Sequence, residues 1–284
     1  PRSTLFPYTT LFRSDLRRCL VRRCPDSLGG LTCLRHLDLG SNHLGEVPAW
    51  ITGLSELETL NLGVNQLEAL PEDLGRLTGL RTLMVHKNAI RAWPDSCASL
   101  RNLEYLNLYL NRMPLIPDMV WSYELLTTFS WGLSGVKQLP DGIARLSRLE
   151  YLTFVGNRIR NLPDAFCELK HLKAVRLHKN LLESLPDGIG KLSALEQITL
   201  YQNELRALPP SFADLGSLRR LNLSWNPMPE FPAEASRLPN LVWLGYFDTP
   251  SMPDQQTLER VENVITVRPL NARAGGGSSR NFVP

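Results

Sequence analysis

An asparagine recurs every 23 residues along most of this 284-residue chain. One step in the middle is skipped, where Ser134 takes the place of the asparagine. The recurring residues are Asn42, Asn65, Asn88, Asn111, Asn157, Asn180, Asn203 and Asn226. A fixed period of about 20–50 residues indicates stacked copies of one small unit, because no unit of that size can enclose a core alone. The chain is therefore restricted to folds that are built by repetition.

Alignment on the asparagine gives the template LxxLxLxxNxLxxLPxxLxxLxx, as in LETLNLGVNQLEALPEDLGRLTG at residues 57–79. The LxL core alternates apolar and polar residues, which predicts a strand with one buried face. Proline cannot donate to a strand ladder, so the Leu-Pro pair ends the strand. The leucines that follow are spaced nearer to three residues apart, which favours a short helical or 3₁₀ return segment.

The asparagine has a structural role in this interpretation. Its amide can donate to and accept from backbone groups of adjacent turns, which would otherwise lie unpaired inside at a cost of about 1–3 kcal/mol each. We therefore expect the eight asparagines to form an internal ladder and to have no catalytic role.

The template resembles the leucine-rich repeat family in its 23-residue, Leu-Pro form, from about Leu16 to Met252. The resemblance implies an α/β solenoid. Such a solenoid is a curved horseshoe with parallel strands on its concave face and short helices, 3₁₀ turns or loops on its convex face. Ras-pathway scaffold, plant intracellular and bacterial proteins share this form. In them the concave face engages a protein partner, usually in signalling.

The repeat register also divides the chain. Residues 4–14, TLFPYTTLFRS, match the codon-by-codon translation of a common sequencing-library adapter, so we expect residues 1–14 not to be native. Residues 15–253 hold about ten repeats, of which we expect the first to be truncated. We expect residues 254–271 to form a C-terminal cap and residues 272–284, which include AGGGSS, to form a flexible tail. An uncapped N-terminal repeat would expose an apolar edge and favour self-association.

Charge and hydropathy argue against two classes of partner. The formal charge of +3 includes Arg2 and Arg13, both in the adapter-like segment, so the remainder stands at +1. A nearly neutral chain of mixed signs gives no electrostatic case for nucleic acid or an anionic membrane surface. No apolar run approaches the length of a membrane-spanning helix.

We find no catalytic, cofactor-binding or metal-binding motif in the sequence. The two His-Lys-Asn triplets place His86 and His178 four units apart, or about 19 Å at the usual strand spacing, which is too far to share one metal ion. The five cysteines form no CxxC pair, and their positions fit apolar filler in a reducing compartment. We therefore expect a non-enzymatic, intracellular and cytoplasmic protein.

The strand residues between the leucines are expected to face outward, on the concave side. Many are aromatic or charged, which is typical of protein interfaces. The candidate partner-binding residues are His86, Tyr105, Tyr109, Tyr151, Arg176, His178, Tyr201, Arg220, Trp225, Trp243 and Phe247. Tyrosine and tryptophan also favour strands, so a purely structural ladder stays possible. If the face binds, we expect the C-terminal half to do so.

Two further alternatives stay open at this point. The unit around Ser134 has Phe129 and Trp131 in leucine positions and Tyr123 just upstream. These changes are either drift compensated by larger side chains, or a local bend or partner-specific surface. The whole chain is either a stand-alone interaction domain or the recognition arm of a kinase, GTPase or ubiquitin ligase. An extracellular receptor domain, which would need disulfide caps, is the least favoured hypothesis.

Overall fold

The computed structural model describes residues 12–253, 255–261 and 263–265. Within those residues, twelve three-residue strands form one parallel sheet in which neighbours follow chain order. The strands are β1 (Arg13–Asp15), β2 (His36–Asp38), β3 (Thr59–Asn61), β4 (Thr82–Met84), β5 (Tyr105–Asn107), β6 (Thr128–Ser130), β7 (Tyr151–Thr153), β8 (Ala174–Arg176), β9 (Gln197–Thr199), β10 (Arg220–Asn222), β11 (Trp243–Gly245) and β12 (Asn263–Ile265). The prediction of a leucine-rich repeat solenoid is confirmed.

The 23-residue period is the register of the sheet. Leu60, in the middle of β3, lies opposite Leu37 on β2 and Leu83 on β4. Leu60 is fully buried, whereas its neighbours Thr59 and Asn61 are only partly buried. One strand therefore has a core face and an open face, and the stack repeats this arrangement turn after turn.

The return segments on the other side of the core are short. Most begin directly after a proline, such as Pro94 (φ −62°, ψ 140°), which has no N–H to donate to a ladder. The 3₁₀ helices are Asp26–Gly30, Ala49–Gly53, Leu74–Arg76, Asp95–Ser99, Asp118–Ser122, Asp141–Arg145, Asp164–Glu168, Ile189–Lys191 and Pro210–Asp214. Two α-helices, α1 (Ala233–Ser236) and α2 (Gln255–Arg260), follow near the C-terminal end.

The asparagine ladder links consecutive turns. Asn180 donates through Nδ2 to the carbonyl of Phe154, one turn earlier, at 2.7 Å and to that of Leu177 at 2.9 Å. Its Oδ1 accepts the N–H of Ile159 at 3.2 Å. The same two donor bonds recur at Asn42, Asn65, Asn88, Asn111, Asn203 and Asn226. Each side chain thereby satisfies buried backbone groups that no strand reaches.

The residue before each ladder position has a left-handed backbone. These residues are Ser41, Val64, Lys87, Leu110, Leu133, Gly156, Lys179, Gln202, Trp225 and Asp248. Left-handed geometry costs an L-residue about 1–2 kcal/mol, and Gly156 alone among the ten avoids that cost. The strain is the local cost of the tight turn that follows each strand, just before the asparagine.

The unit around Ser134 is filled by large rings. Tyr123, Phe129 and Trp131 are fully buried. The Phe129 ring meets that of Trp131 at 6.4 Å and that of Phe154 at 5.5 Å, both edge to face. The Tyr123 hydroxyl donates to the Cys97 carbonyl at 2.9 Å. Because these side chains face the core, they form no partner-specific surface, and compensated drift is the better account.

The turn around Ser134 and its neighbours also contain buried polar groups without partners. Ser134 Oγ donates to the carbonyl of Gly132, at 3.2 Å, and within the described part of the chain it makes none of the bonds between turns that a ladder asparagine makes. Among the described residues, Nδ2 of Asn157 and the indole N–H groups of Trp121 and Trp131 are buried without a hydrogen-bond partner. The ladder is therefore weakest at this turn.

Candidate partner-binding face

The open face of the sheet carries three columns of side chains, which we call the concave columns. They begin at His36, Asp38 and Gly40 and continue in steps of 23 to Trp243, Gly245 and Phe247. The columns exist because the leucine positions between them are buried. Of the predicted partner-binding residues, all but Trp225 lie in these columns; Trp225 takes the left-handed position just outside.

Four rings at the C-terminal end form a continuous contact, which we call the aromatic strip. The rings of His178 and Tyr201 stack at 4.2 Å and 13°. The ring of Trp225 lies 6.0 Å from that of Tyr201 and 4.3 Å from that of Phe247, the latter at 74°. Such offset and edge-on pairs are favourable arrangements of aromatic rings. Each ring of the strip contacts at least one other, and Trp225 is 39% exposed.

The other predicted residues are separate from the strip. Trp243 lies over Gly245 on its own strand and has no ring contact with the strip among the described residues. Tyr105 and Tyr151 lie on β5 and β7 in the first column, where Tyr151 is 47% exposed. The sequence therefore predicted the face, whereas the grouping of its rings is visible only in the structure.

Two glycines make room for rings in the third column. A Cβ at Gly63 would overlap the imidazole of His86, and a Cβ at Gly132 would lie 2.6 Å from the Tyr109 ring. His86 therefore lies over the preceding turn and Tyr109 over the following one. A glycine directly before His86 and another directly after Tyr109 in the same column is a pattern that could have predicted this packing.

Several ion pairs border the concave columns, one position before the strands β2 to β5, β7 and β8, and sequence reasoning missed them. Arg35 pairs with Glu58 at 3.1 Å and Lys173 pairs with Glu150 at 2.8 Å, each across adjacent turns. Opposite charges at 23-residue steps were the pattern that could have revealed them. Exposed pairs of this kind contribute only about 0–1 kcal/mol each to folding stability. Because their charges already neutralise each other, we assign them no binding role.

His178 is electrostatically unusual. Burial lowers the pKa of its imidazole to about 4, and the nearby cations Lys179 and Arg176 act in the same direction. The ring is therefore neutral at pH 7. A neutral imidazole stacks on Tyr201 as an aromatic ring without bringing charge into the strip.

Acidification should destabilise the protein more than it destabilises a His178→Phe variant, which keeps a ring against Tyr201. The folded state binds this proton only near pH 4, whereas an unperturbed imidazole binds it near 6.5. The unfolded state therefore takes up the proton first, so this contribution to stability is present above about pH 6.5 and is lost as the pH falls toward 4. Urea unfolding at pH 7 and pH 4.5 measures the difference. If the free energy of unfolding depended equally on pH in the two proteins, the lowered pKa of His178 would be contradicted.

Other chemistry is sparse in the part of the chain that the structure describes. No group of three or more histidine, cysteine or acidic side chains there could hold a metal ion. All five cysteines are free, and Cys97 and Cys167 are buried. No helix among the described residues is long and apolar enough to cross a membrane.

Comparison with known proteins agrees with the geometry. The family model for leucine-rich repeat regions matches residues 14–126 and 126–226. No curated protein matches the sequence. A solved leucine-rich repeat protein of Leptospira interrogans is 29% identical, with a TM-score of 0.81 over 85% of this chain and 62% of that one.

Two further solved structures are similar. The Arabidopsis receptor kinase HAESA, in complex with the peptide hormone IDA and the co-receptor SERK1, has a TM-score of 0.76 at 25% identity over 94% of this chain and 47% of that one. The functional domain of InlJ from Listeria monocytogenes has a TM-score of 0.79 at 21% identity, over 91% and 54%, and shows the fold alone. The chain thus spans less than two thirds of each of these three proteins.

Proposed function

Since this chain belongs to the leucine-rich repeat family, we propose that it is a non-catalytic interaction domain that binds a protein partner on its concave face. The observation that carries the proposal is the aromatic strip. Strand propensity does not account for it, because Trp225 lies beyond the end of β10 and has a left-handed backbone. Tryptophan is among the residue types that most often anchor interfaces, and Trp225 is exposed and in contact with two other rings.

The relatives support a polypeptide partner. The HAESA structure contains a peptide hormone and a second protein. By analogy with that complex, we infer that a polypeptide is a suitable partner for this chain. The sequence also lacks the charge excess that a nucleic-acid partner would require.

The proposed setting is intracellular signalling. All five cysteines are free, and Cys19 is exposed. An exposed free thiol persists in a reducing compartment, whereas it is readily oxidised in an oxidising one. The signalling context rests on the family resemblance.

Differential capture from a lysate of the source cells tests the proposed face. The test protein carries Tyr201→Ala and Trp225→Ala, and the matched control carries Leu115→Ala and Leu258→Ala, two exposed apolar residues outside the concave columns. We expect the captured amount of each partner to be at least about tenfold lower with the test protein than with the wild type or the control. Truncating an interface anchor costs about 2 kcal/mol or more of binding free energy. Quantitative mass spectrometry measures the captured proteins.

Two outcomes would count against the proposal. The same proteins captured at the same level by both double variants would place binding elsewhere. A melting temperature that falls steeply in the test protein but not in the control would make the rings a structural ladder.

We also propose that the protein associates with itself through the N-terminal turn of the described solenoid. Leu20 there is 72% exposed, and Leu16 and Val21 are only partly buried against the core. An exposed apolar repeat end is a template for association. We expect light scattering to show a mass that rises with concentration and rises less in a Leu20→Glu variant. A monomer at all concentrations would contradict this.

A further inference from the structure

The concave columns carry few charged side chains, and from β3 onward all of them are positive. From β3 to β11 they contain no aspartate or glutamate, and their only arginines or lysines are Arg176 and Arg220. The carboxylate of Asp38, on β2, is already held by Nδ2 of Asn61 at 2.9 Å and by Arg17 at 3.5 Å. Within the columns, the C-terminal half therefore carries positive charge without a carboxylate; the exposed Asp248, next to Phe247, lies outside the columns.

The two arginines differ from other cations on this surface. Arg35 and Lys173, one column away, are each paired with a carboxylate of an adjacent turn. Arg176 and Arg220 are both exposed, and within the described residues neither forms an ion pair. Both guanidinium groups are therefore available to an incoming ligand.

Their position relates them to the aromatic strip. Arg176 is on β8 and Arg220 is on β10, on either side of β9, whose turn carries Tyr201. Two strand spacings separate them laterally by about 10 Å. Within the same turn, Arg176 lies two residues before His178, and Arg220 lies opposite Trp243 on the next strand. Arg176 is therefore next to the strip along the chain, whereas Arg220 lies in the first column, four residues before the third-column residue of its own turn. A ligand that covers the strip and extends across the columns reaches both cations.

We propose that the partner presents an acidic segment to this half of the concave face. Its carboxylates pair with Arg176 and Arg220, and an aromatic or aliphatic side chain between them packs on the aromatic strip. The inference rests on the proposed function and adds the chemistry of the partner. Guanidinium groups bind carboxylates through two parallel hydrogen bonds. A neutral or basic segment would instead bury two cations without partners, which strongly disfavours binding.

A protein segment fits this surface better than a nucleic acid does. Binding to a phosphate backbone draws its affinity from contacts to many phosphates, about 6–10 in a typical complex. Two arginines cannot supply that number. They are sufficient to orient one short acidic peptide segment over a ring surface.

The test uses a fluorescein-labelled random copolymer of glutamate and tyrosine as the probe, with fluorescence anisotropy as the readout. The variant carries Arg176→Gln and Arg220→Gln. The control carries Arg112→Gln and Arg158→Gln, two exposed arginines outside the concave columns, and so has the same net charge. We expect the dissociation constant to rise at least tenfold in the variant and less than twofold in the control. Melting temperatures of both proteins should match the wild type.

Further probes separate the sources of affinity. Polyglutamate of equal length should bind more weakly than the copolymer, because it lacks rings for the strip. A copolymer of lysine and tyrosine should not bind. No binding of the glutamate–tyrosine copolymer, an equal loss in both double variants, or tighter binding of a 20-nucleotide single-stranded DNA would each overturn the inference.

The captured partner distinguishes this inference from the proposed function. Suppose that its binding is lost with Tyr201→Ala and Trp225→Ala but unchanged with Arg176→Gln and Arg220→Gln. The concave face would then be the binding site, and the acidic segment would be rejected. If all of these variants bind the partner as the wild type does, the proposed function itself fails.

Discussion

Replacing Asn180 with alanine should lower the free energy of unfolding by about 3–5 kcal/mol, because the change strands several buried backbone groups at about 1–3 kcal/mol each. Those groups are the carbonyls of Phe154 and Leu177 and the N–H of Ile159. Asn180 is only 5% exposed, so water cannot easily replace its amide. Urea unfolding followed by far-UV circular dichroism measures the loss.

Asn161→Ala is the matched control, since Asn161 is exposed and lies in the same repeat region. A surface change of this kind should stay within about 0.5 kcal/mol of the wild type. If both variants lose the same stability, the ladder does not hold the turns together and the role given to the asparagines is wrong.

Phe129→Ala should be similarly costly, at about 3–5 kcal/mol, because it leaves a cavity in a packed core. The Phe129 ring contacts those of Trp121 at 6.2 Å, Trp131 at 6.4 Å and Phe154 at 5.5 Å. This turn already lacks the ladder asparagine, so its stability depends on these rings. Differential scanning calorimetry of the purified protein provides the measurement.

Phe129→Leu restores the residue that most other turns have in this position, and it should cost only about 1–2 kcal/mol because most of the volume is kept. Leu115→Ala, at a side chain that is 76% exposed, should be nearly neutral. An alanine variant as stable as the leucine variant would show that the Ser134 turn is not held by its aromatic core.

The architecture was predictable because the repeat fixes the register. A leucine such as Leu60 must face its counterparts Leu37 and Leu83 once the units stack at 23-residue steps. The left-handed residue before each asparagine was not predictable. Val64, Lys87 and Leu110 have nothing in common that would indicate φ above zero, and among the ten only Gly156 and Asp248 are of types that favour it.

The candidate site was predictable as a face but not as a set of contacts. Outward columns follow from strand alternation, so Tyr201 and Phe247 were correctly expected on one surface. The bridge between them is Trp225, which lies in a different position of the repeat and reaches both rings because its backbone is left-handed. Trp243, in contrast, was expected among the neighbouring residues, but it packs over Gly245. Such grouping depends on rotamers and backbone angles that a repeat template does not encode.

Site-specific photo-crosslinking tests most directly whether the concave face binds the partner. The photoreactive p-benzoylphenylalanine replaces Phe247, in the aromatic strip, in one protein and Leu115, outside the concave columns, in another. The protein is then irradiated with its captured partner. We predict a covalent adduct from position 247 and none from position 115. An adduct from position 115 alone would contradict the account.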